Sequence, residues 1–342
     1  VPENLRIGLL GAAAIAPSAL IEPARAVPRV RVVAVAARDR ARAEAFARKH
    51  GIPAVHTGYD ALLADPDVDA VYIPLPNGLH AEWTLKALAA GKHVLCEKPF
   101  TANRAEAERV ADAADAAYAR DGLVVMEAFH YRHHALAARM REIVASGELG
   151  ALRRVEAELC FPLPRFGDIR YDYGLAGGAT MDAGCYAVHV ARLLGGDPRV
   201  DSARMLTLRR DPRVDRAMSA ELTFPGGASG RVRASMWSRR LLAIRARAVG
   251  EDGELRVTNF VMPQLYHRLT VRPRAGGGPV RHERLPKRPT SYAAQLAAFA
   301  AAALDGAEVL TSARDAVVTM GVLDDIYRAA GLPLRGAAPA EA

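Results

Sequence analysis

The chain has little of three things, and each scarcity excludes a class of protein. Cysteine occurs only three times in 342 residues, as Cys96, Cys160 and Cys185, with no CxxC spacing. Neither a disulfide framework nor a thiolate zinc site is therefore expected. Aromatic residues make up 6%. A nucleic-acid binder concentrates its positive charge and interleaves it with aromatics. Here the formal net charge of +8 is dispersed along the chain, as in Arg38, Arg40 and Arg42, Arg153 and Arg154, Arg209 and Arg210, and Arg239 and Arg240. No apolar run approaches the ~18 residues that a membrane span needs. The opening Val1-Pro2-Glu3-Asn4 has neither the basic start nor the apolar stretch of a secretory signal. These absences lead to the expectation of a cytoplasmic protein with no nucleic-acid and no membrane partner. Its cationic field would draw in an anionic cofactor or substrate.

What remains is an ordinary globular composition, 51% hydrophobic and 25% charged, in a chain too long for one core. Over residues 1–125, apolar strands alternate with helical patterns. Leu5–Leu10, Val30–Ala36, Ala70–Ile73, His93–Cys96 and Leu123–Met126 read as strands. Ala14–Ala26, Arg40–His50, Tyr59–Leu63, His80–Ala90 and Asn103–Arg120 read as helices, with Gly51 and Gly91 as stops. Such alternation implies βαβ units and a parallel sheet. Past residue 150 the rhythm changes to successive strands: Leu152–Phe161, Ala203–Arg210, Ala217–Phe224, Ser229–Trp237, Leu241–Val249, Glu254–Phe260 and Leu265–Val271. Their alternation predicts an antiparallel sheet with one wet and one covered face. Two helices, Tyr292–Leu304 and Ser312–Ala330, follow, and the tail 336–342 is expected to be disordered. The fold class is α/β: a dinucleotide-binding domain over 1–125, then an α+β domain over 126–335 for substrate and oligomerisation, with a large, mostly antiparallel open sheet.

The turn after the first strand, Gly11-Ala12-Ala13-Ala14-Ile15-Ala16, stands where G-x-G-x-x-G/A stands in dinucleotide-binding folds. Gly11 supplies the tight turn and Ala16 the close helix packing. Ala13 takes the place of the second glycine, and Ala13, Ala14 and Ile15 lie where backbone approaches a pyrophosphate. At the end of the second strand, Val35-Ala36-Ala37-Arg38-Asp39 puts alanine where an NAD-binding fold carries an acid. Losing the carboxylate removes repulsion of a 2′-phosphate, and Arg38 adds a bidentate partner for it. NADP is favoured over NAD on this reading. The alternative makes Arg38 an ordinary surface arginine and has Asp39 bond the ribose.

Two further motifs carry chemistry. Glu97-Lys98-Pro99 follows an apolar strand, and Gly177-Gly178-Ala179-Thr180-Met181-Asp182-Ala183-Gly184-Cys185-Tyr186 places an acid and a phenol one helical turn apart. A lysine, an aspartate and a phenol in one cleft can move a proton on and off a hydroxyl. The alternative is a surface ion pair of Lys98 and Asp182 with Tyr186 as core. His130, His133 and His134 cluster in sequence, but no carboxylate or cysteine completes a ligand set, so no metal is expected. Trp83 reads as core, and Cys96 and Cys185 as packing.

Together with Pro74-Leu75-Pro76-Asn77-Gly78-Leu79-His80 and Gly91-Lys92-His93-Val94-Leu95-Cys96, these motifs give the chain a resemblance along almost its whole length. It resembles the glucose–fructose oxidoreductase / inositol dehydrogenase (Gfo/Idh/MocA) family. Tyr186, where that family usually has histidine, and Asp168-Ile169-Arg170-Tyr171 resemble its branch of dihydrodiol dehydrogenases and sugar 3-ketoreductases. The resemblance implies a Rossmann domain followed by an α/β domain whose open sheet makes a homodimer or homotetramer. It implies catalytic roles for Lys98, Asp182 and Tyr186. It implies a cofactor site of Gly11, Ala13, Ala14, Ile15, Arg38, Leu75, Pro76, Asn77, His80, Glu97 and Lys98, and substrate contacts from Lys98, His130, Arg170, Asp182 and Tyr186. The role of His189 stays open. The expected activity is NADP-dependent hydride transfer to or from a sugar, polyol or cyclic diol. The alternatives are a dinucleotide-sensing regulator without chemistry and an NAD-dependent oxidative glycoside-processing enzyme.

Overall fold

The computed structural model describes residues 3–274, 276 and 278–336. The chain forms two compact units, one of Val1–His133 with Pro289–Val317 and the other of His134–Arg288 with Val318–Ala342.

The first unit is built on six strands: β1 (Leu5–Leu10), β2 (Val30–Ala37), β3 (Ala54–Thr57), β4 (Ala70–Ile73), β5 (His93–Cys96) and β6 (Val125–Glu127). Their order is β3-β2-β1-β4-β5-β6 and every pairing is parallel. This is the doubly wound Rossmann order, which reverses direction between β1 and β4. All four residues of β4 are buried, which explains its unbroken apolar run. The helices are a π turn (Pro17–Ile21) running into α1 (Glu22–Ala26), then α2 (Arg40–His50), α3 (Tyr59–Leu63), α4 (His80–Ala89) and α5 (Arg104–Asp121). Their ends follow local chemistry. Asn103 Oδ1 accepts from Glu106 N at 2.9 Å to cap α5, and Glu106 Oε2 accepts in turn from Ala102 N at 3.0 Å. Gly51 ends α2 with a φ of 72°. Strand β3 was not anticipated, because its four residues, Ala-Val-His-Thr, are half-buried or exposed at the sheet edge and make no apolar run.

The second unit carries α6 (Ala135–Ala145), β7 (Leu152–Cys160) and a π turn (Thr180–Gly184) that leads into α7 (Cys185–Gly195). It continues through β8 (Arg199–Thr207), β9 (Asp215–Thr223), β10 (Ser229–Ser235), β11 (Ala243–Gly250), β12 (Gly253–Thr258), β13 (Arg268–Pro273) and β14 (Arg281–Glu283). The eight strands are ordered β14-β13-β12-β11-β7-β10-β9-β8, antiparallel except for β7 with β10. The expected fold class is thus the observed one. One face buries Val155, Ala157, Val232, Ala234, Ala246 and Ala248. The alternate residues pair charges across strands: Arg247 opposite Glu156, Arg233 opposite Glu158, and Arg231 opposite Glu221. Two strand starts read too early. Leu241, Leu242, Leu265 and Tyr266 are apolar but 54%, 65%, 63% and 53% exposed, so they lie in loops rather than in β11 and β13.

Helix α8 (Ser291–Asp305) packs with β1, β2 and the π turn of the first unit. The boundary between residues 317 and 318 falls within α9 (Ala313–Ala329). From residue 337 onward the tail lies outside the described residues.

Edge strand β14 supplies a test of local energetics. Glu283 accepts from Arg139 Nε at 2.7 Å and from Arg281 Nε at 2.6 Å. These guanidiniums, Arg139 first, hold its carboxyl at about 2. A carboxyl lowered by folding stabilises the protein above its free value of ~4.3 and loses that contribution as pH falls toward its folded value. With solvent screening discounted, Glu283→Gln should lower stability by about 1 kcal/mol at pH 7. In urea titrations the gap should shrink by roughly half by pH 3. A gap that stays constant over that range would contradict the assignment.

Candidate active site

In the first unit, the candidate cofactor residues gather at the carboxyl ends of adjacent parallel strands. Gly11 follows β1, Arg38 follows β2, Leu75-Pro76-Asn77 follows β4 and Glu97-Lys98 follows β5. Gly11 has a φ of +103°, a conformation costly for any side chain, and a Cβ there would come 3.1 Å from Leu75 Cδ2. Its N–H donates to Ala36 O at 2.7 Å, tying the turn to β2. Ala14 and Ile15 are exposed and Ala13 is half-buried, which leaves their backbone approachable.

The end of β2 distinguishes the two readings of Arg38 and Asp39. Asp39 Oδ1 accepts from Arg42 N at 3.2 Å as the cap of α2, so its carboxylate already serves the helix. Arg38 is exposed. Burial raises the Tyr59 phenol, and the charges of Arg38 and Arg42 oppose that rise. Arg42 Nη2 also donates to Ala12 O at 2.9 Å. Arg42 was counted from sequence only as dispersed surface charge. Its distance of four residues from Arg38, across the cap, was the available signal.

The Glu97-Lys98 segment is braced from beneath. The Tyr72 hydroxyl donates to Glu97 Oε1 at 2.6 Å, and Lys98 N donates to Glu97 Oε2 at 3.2 Å. His80 is wholly buried, with Nδ1 2.8 Å from Pro99 O and Nε2 2.8 Å from Leu75 O. Burial pushes this imidazole below its ordinary range, and the Lys98 charge adds to that. A neutral ring donates from one nitrogen only. His80 is therefore packed between the β4 and β5 loops and donates to one of the two carbonyls, not to both. The Tyr292 phenol is raised by burial and by the Glu97 charge, while Lys98 opposes, so Lys98 lies within electrostatic reach of it. His130 is buried, stacked on Tyr292 with ring centroids 3.9 Å apart, and its Nδ1 is 2.9 Å from Ser291 Oγ.

In the second unit, Asp182 lies in the π turn and Tyr186 in the first turn of α7. A π turn holds an extra residue per loop and recurs at functional sites. Arg170 grips Asp168 through Nε at 2.9 Å and Nη2 at 3.0 Å, and its Nη1 lies 3.8 Å from Asp182 Oδ2. Asp182 is half-buried, while Tyr186 and His189 are buried. The π turn is anchored by residues that sequence reasoning missed. Asp215 Oδ2 accepts from Thr180 N and from Thr180 Oγ1, each at 2.7 Å. Asp215 Oδ1 accepts from Tyr327 Oη and from Arg335 Nη2, each at 2.9 Å.

Other features stay outside the site. All three cysteines are buried; burial raises the Cys96 thiol well above its ordinary value and the Cys160 thiol to about 11. Trp83 is buried, edge-on to Tyr59. Among the described residues, no group of His, Cys, Asp and Glu could hold a metal ion, and no helix is long and apolar enough to cross a membrane. A depression of ≈ 710 Å³ on the sheet of the second unit is lined by Cys160, Arg204, Arg216, Arg233 and Trp237 among others, and by none of the candidate cofactor, catalytic or substrate residues.

Both halves of the chain are similar to known proteins. Residues 5–125 match the oxidoreductase family with NAD-binding Rossmann fold, GFO/IDH/MocA, and residues 137–256 match the GFO/IDH/MocA C-terminal domain. D-xylose 1-dehydrogenase (NADP(+)) 2 of Haloferax volcanii is 42% identical over 330 residues, 95% of this chain and 97% of that protein. The dTDP-3,4-didehydro-2,6-dideoxy-alpha-D-glucose 3-reductase of Streptomyces violaceoruber is 39% identical over 302 residues, 87% of this chain and 85% of that one. A 3-ketoreductase from Actinomadura kijaniata, solved in complex with NADP and TDP-benzene, matches with a TM-score of 0.85 at 31% identity, over 95% of this chain and 98% of that one. The same 3-ketoreductase has been solved with a tyrosine replaced by phenylalanine and with a lysine replaced by alanine. With both halves matched and close relatives spanning nearly its full length, the chain belongs to the GFO/IDH/MocA family of oxidoreductases.

Proposed function

We propose that the protein is an NADP-dependent oxidoreductase that moves a hydride between nicotinamide and a hydroxyl or carbonyl carbon of a sugar, with polyols and cyclic diols as the wider class. The observation that carries the reading is the row of Gly11, Arg38, Leu75-Pro76-Asn77 and Glu97-Lys98 along the carboxyl ends of adjacent parallel strands, where open α/β sheets bind dinucleotides. The residues fit the cofactor. Glycine at 11 leaves beside Leu75 the space that a Cβ would fill, and the Asp39 carboxylate caps α2 while alanine stands at 37. Gly11 and the backbone of residues 13–15 would hold the pyrophosphate, and Arg38 with Arg42 the 2′-phosphate. NADP, when bound, supplies or accepts the hydride.

The chain's own residues handle charge and protons. The Lys98 ammonium polarises the reacting oxygen, a role that electrostatic stabilisation makes large in a site shielded from water. The Tyr186 hydroxyl gives or takes the proton. Asp182, with Arg170 beside it, orients substrate hydroxyls. The 42% identity to an NADP(+) D-xylose dehydrogenase and the 39% identity to a sugar 3-reductase support a sugar over other alcohols. A homodimer or homotetramer through the eight-stranded sheet is part of the same proposal.

The test is turnover on a panel of aldoses, keto-sugars and diols with each cofactor. Lys98→Met and Tyr186→Phe should each lower kcat by ~10²-fold or more while leaving the melting temperature and NADPH affinity nearly unchanged. Either variant retaining more than about a tenth of wild-type kcat would remove that residue from the chemistry, and His189 would be the next to replace.

Cofactor choice has its own test. Arg38→Ala, or Ala37→Asp, should weaken NADPH binding by the ~1.5–3 kcal/mol of a charge-assisted contact, about 10- to 150-fold, and shift preference toward NADH. Wild-type protein that binds NADH as tightly as NADPH, measured by fluorescence titration, would overturn the NADP assignment.

A further inference from the structure

We infer that Asp215, Arg335 and Thr180 are positioning residues for Asp182 and Tyr186, an inference that rests on the chemistry proposed above for those two side chains. Arg335 and Asp215 form an ion pair at 2.9 Å in which neither side chain has any exposed surface. The pair grips both ends of the glycine turn. Arg335 Nε donates to Gly177 O at 2.7 Å, and Asp215 Oδ2 takes the Thr180 N–H and hydroxyl. Between those ends Gly178 has a φ of +139°, and a Cβ on it would fall 2.2 Å from Asp215 Oδ1 and 3.0 Å from Arg335 Nη2. The carboxylate and guanidinium are thus seated directly on the backbone that leads to the site. From there the connection is short: Asp182 N donates to Gly178 O at 3.0 Å, and Tyr186 follows in the same helical segment.

Packing alone does not call for this arrangement. A buried ion pair is often replaceable by apolar side chains without loss of stability. What apolar side chains cannot do is fix the direction of a particular carbonyl and a particular amide. The cluster draws on Asp215 at the start of β9, Tyr327 in α9 and Arg335 beyond it, and each of the three bonds the turn or the carboxylate that holds it. A catalytic group displaced by 1 Å can lose about 10²-fold in rate. The cluster therefore sets where the Asp182 carboxylate and the Tyr186 hydroxyl stand.

The experiment uses the full chain. Thr180→Val keeps the side-chain shape and the backbone N–H and removes only the hydroxyl donor; Thr180→Ser restores that donor. Thr180→Val should stay folded, keep its KM for NADPH within about twofold and lose about 10- to 100-fold in kcat, and Thr180→Ser should recover most of the loss. Arg335→Lys should lose kcat in the same way, because an ammonium cannot bond Gly177 O and Asp215 together as the planar fork does. Hydrogen–deuterium exchange of the 177–186 segment should rise in Thr180→Val and return in Thr180→Ser. Unchanged kcat and unchanged exchange in Thr180→Val would overturn the inference while leaving the proposed function intact. If the wild-type protein turned over no sugar with either cofactor, the proposed function would fail instead, and with it the catalytic roles of Asp182 and Tyr186. The exchange result would then decide whether the cluster orders this segment at all.

Discussion

A carboxylate buried without any exposed surface has to be satisfied, and Asp215 is that carboxylate. Removing such an ion and its partner from water costs several kcal/mol each, and breaking the pair by removing one member costs about 3–5 kcal/mol. Asp215 meets that demand with four donors: the Thr180 amide, the Thr180 hydroxyl, the Tyr327 phenol and the Arg335 guanidinium. The consequences spread outward. Burial and the adjacent Asp215 charge raise the Tyr327 phenol well above its ordinary value, so it stays a donor. Residue 178 has to be glycine, since the knot occupies the place of its side chain. The π turn starts where Thr180 is pinned, and α7 then carries Tyr186, in a fully buried stretch from Cys185 to Ala191.

The first unit solves a different problem, which is to bring loops from four strands to one edge and leave their backbone accessible. Buried β-branched and small residues fill both faces of its parallel sheet, and the polar work is done just past the strand ends. Tyr72, at the third position of β4, reaches across to hold Glu97 after β5. His80 joins the same two loops from inside. Lys98 is consequently presented by a loop whose neighbours are fixed, which suits the electrostatic role proposed for it.

Much of this was legible in the sequence wherever one local rule decides the outcome. Gly11 supplies a tight turn, Gly51 ends a helix, and the strand–helix alternation of the first 125 residues has one economical sheet. The branch-specific Tyr186 and the missing acid at 37 were legible too, because each is a departure from a known pattern. What escaped was long-range or had no pattern of its own. Asp215 sits in Asp211-Pro212-Arg213-Val214-Asp215-Arg216, which reads as a charged turn, and Arg335 reads only as the last residue of the domain before the tail. Their pairing spans 120 residues of sequence. The π turn at Thr180–Gly184 has no side-chain signature that separates it from an α turn. Nothing in Ser291–Asp305 says which sheet it covers, and exposed Leu241, Leu242, Leu265 and Tyr266 imitated strand residues while lying in loops.

The most direct test of the central claim follows the hydride itself. The purified protein would be incubated with NADPH deuterated at the transferring position and a panel of keto-sugars and aldoses, and in the reverse direction with C–H-deuterated sugars and NADP. Mass spectrometry would then locate the label. The account predicts that one deuterium moves between the nicotinamide and a single sugar carbon, that transfer needs the protein, and that NADP is used in preference to NAD. Tight NADPH binding with no label transferred to or from any sugar, polyol or diol would contradict it, and would mark the chain as a dinucleotide-binding regulator that keeps the fold without the chemistry.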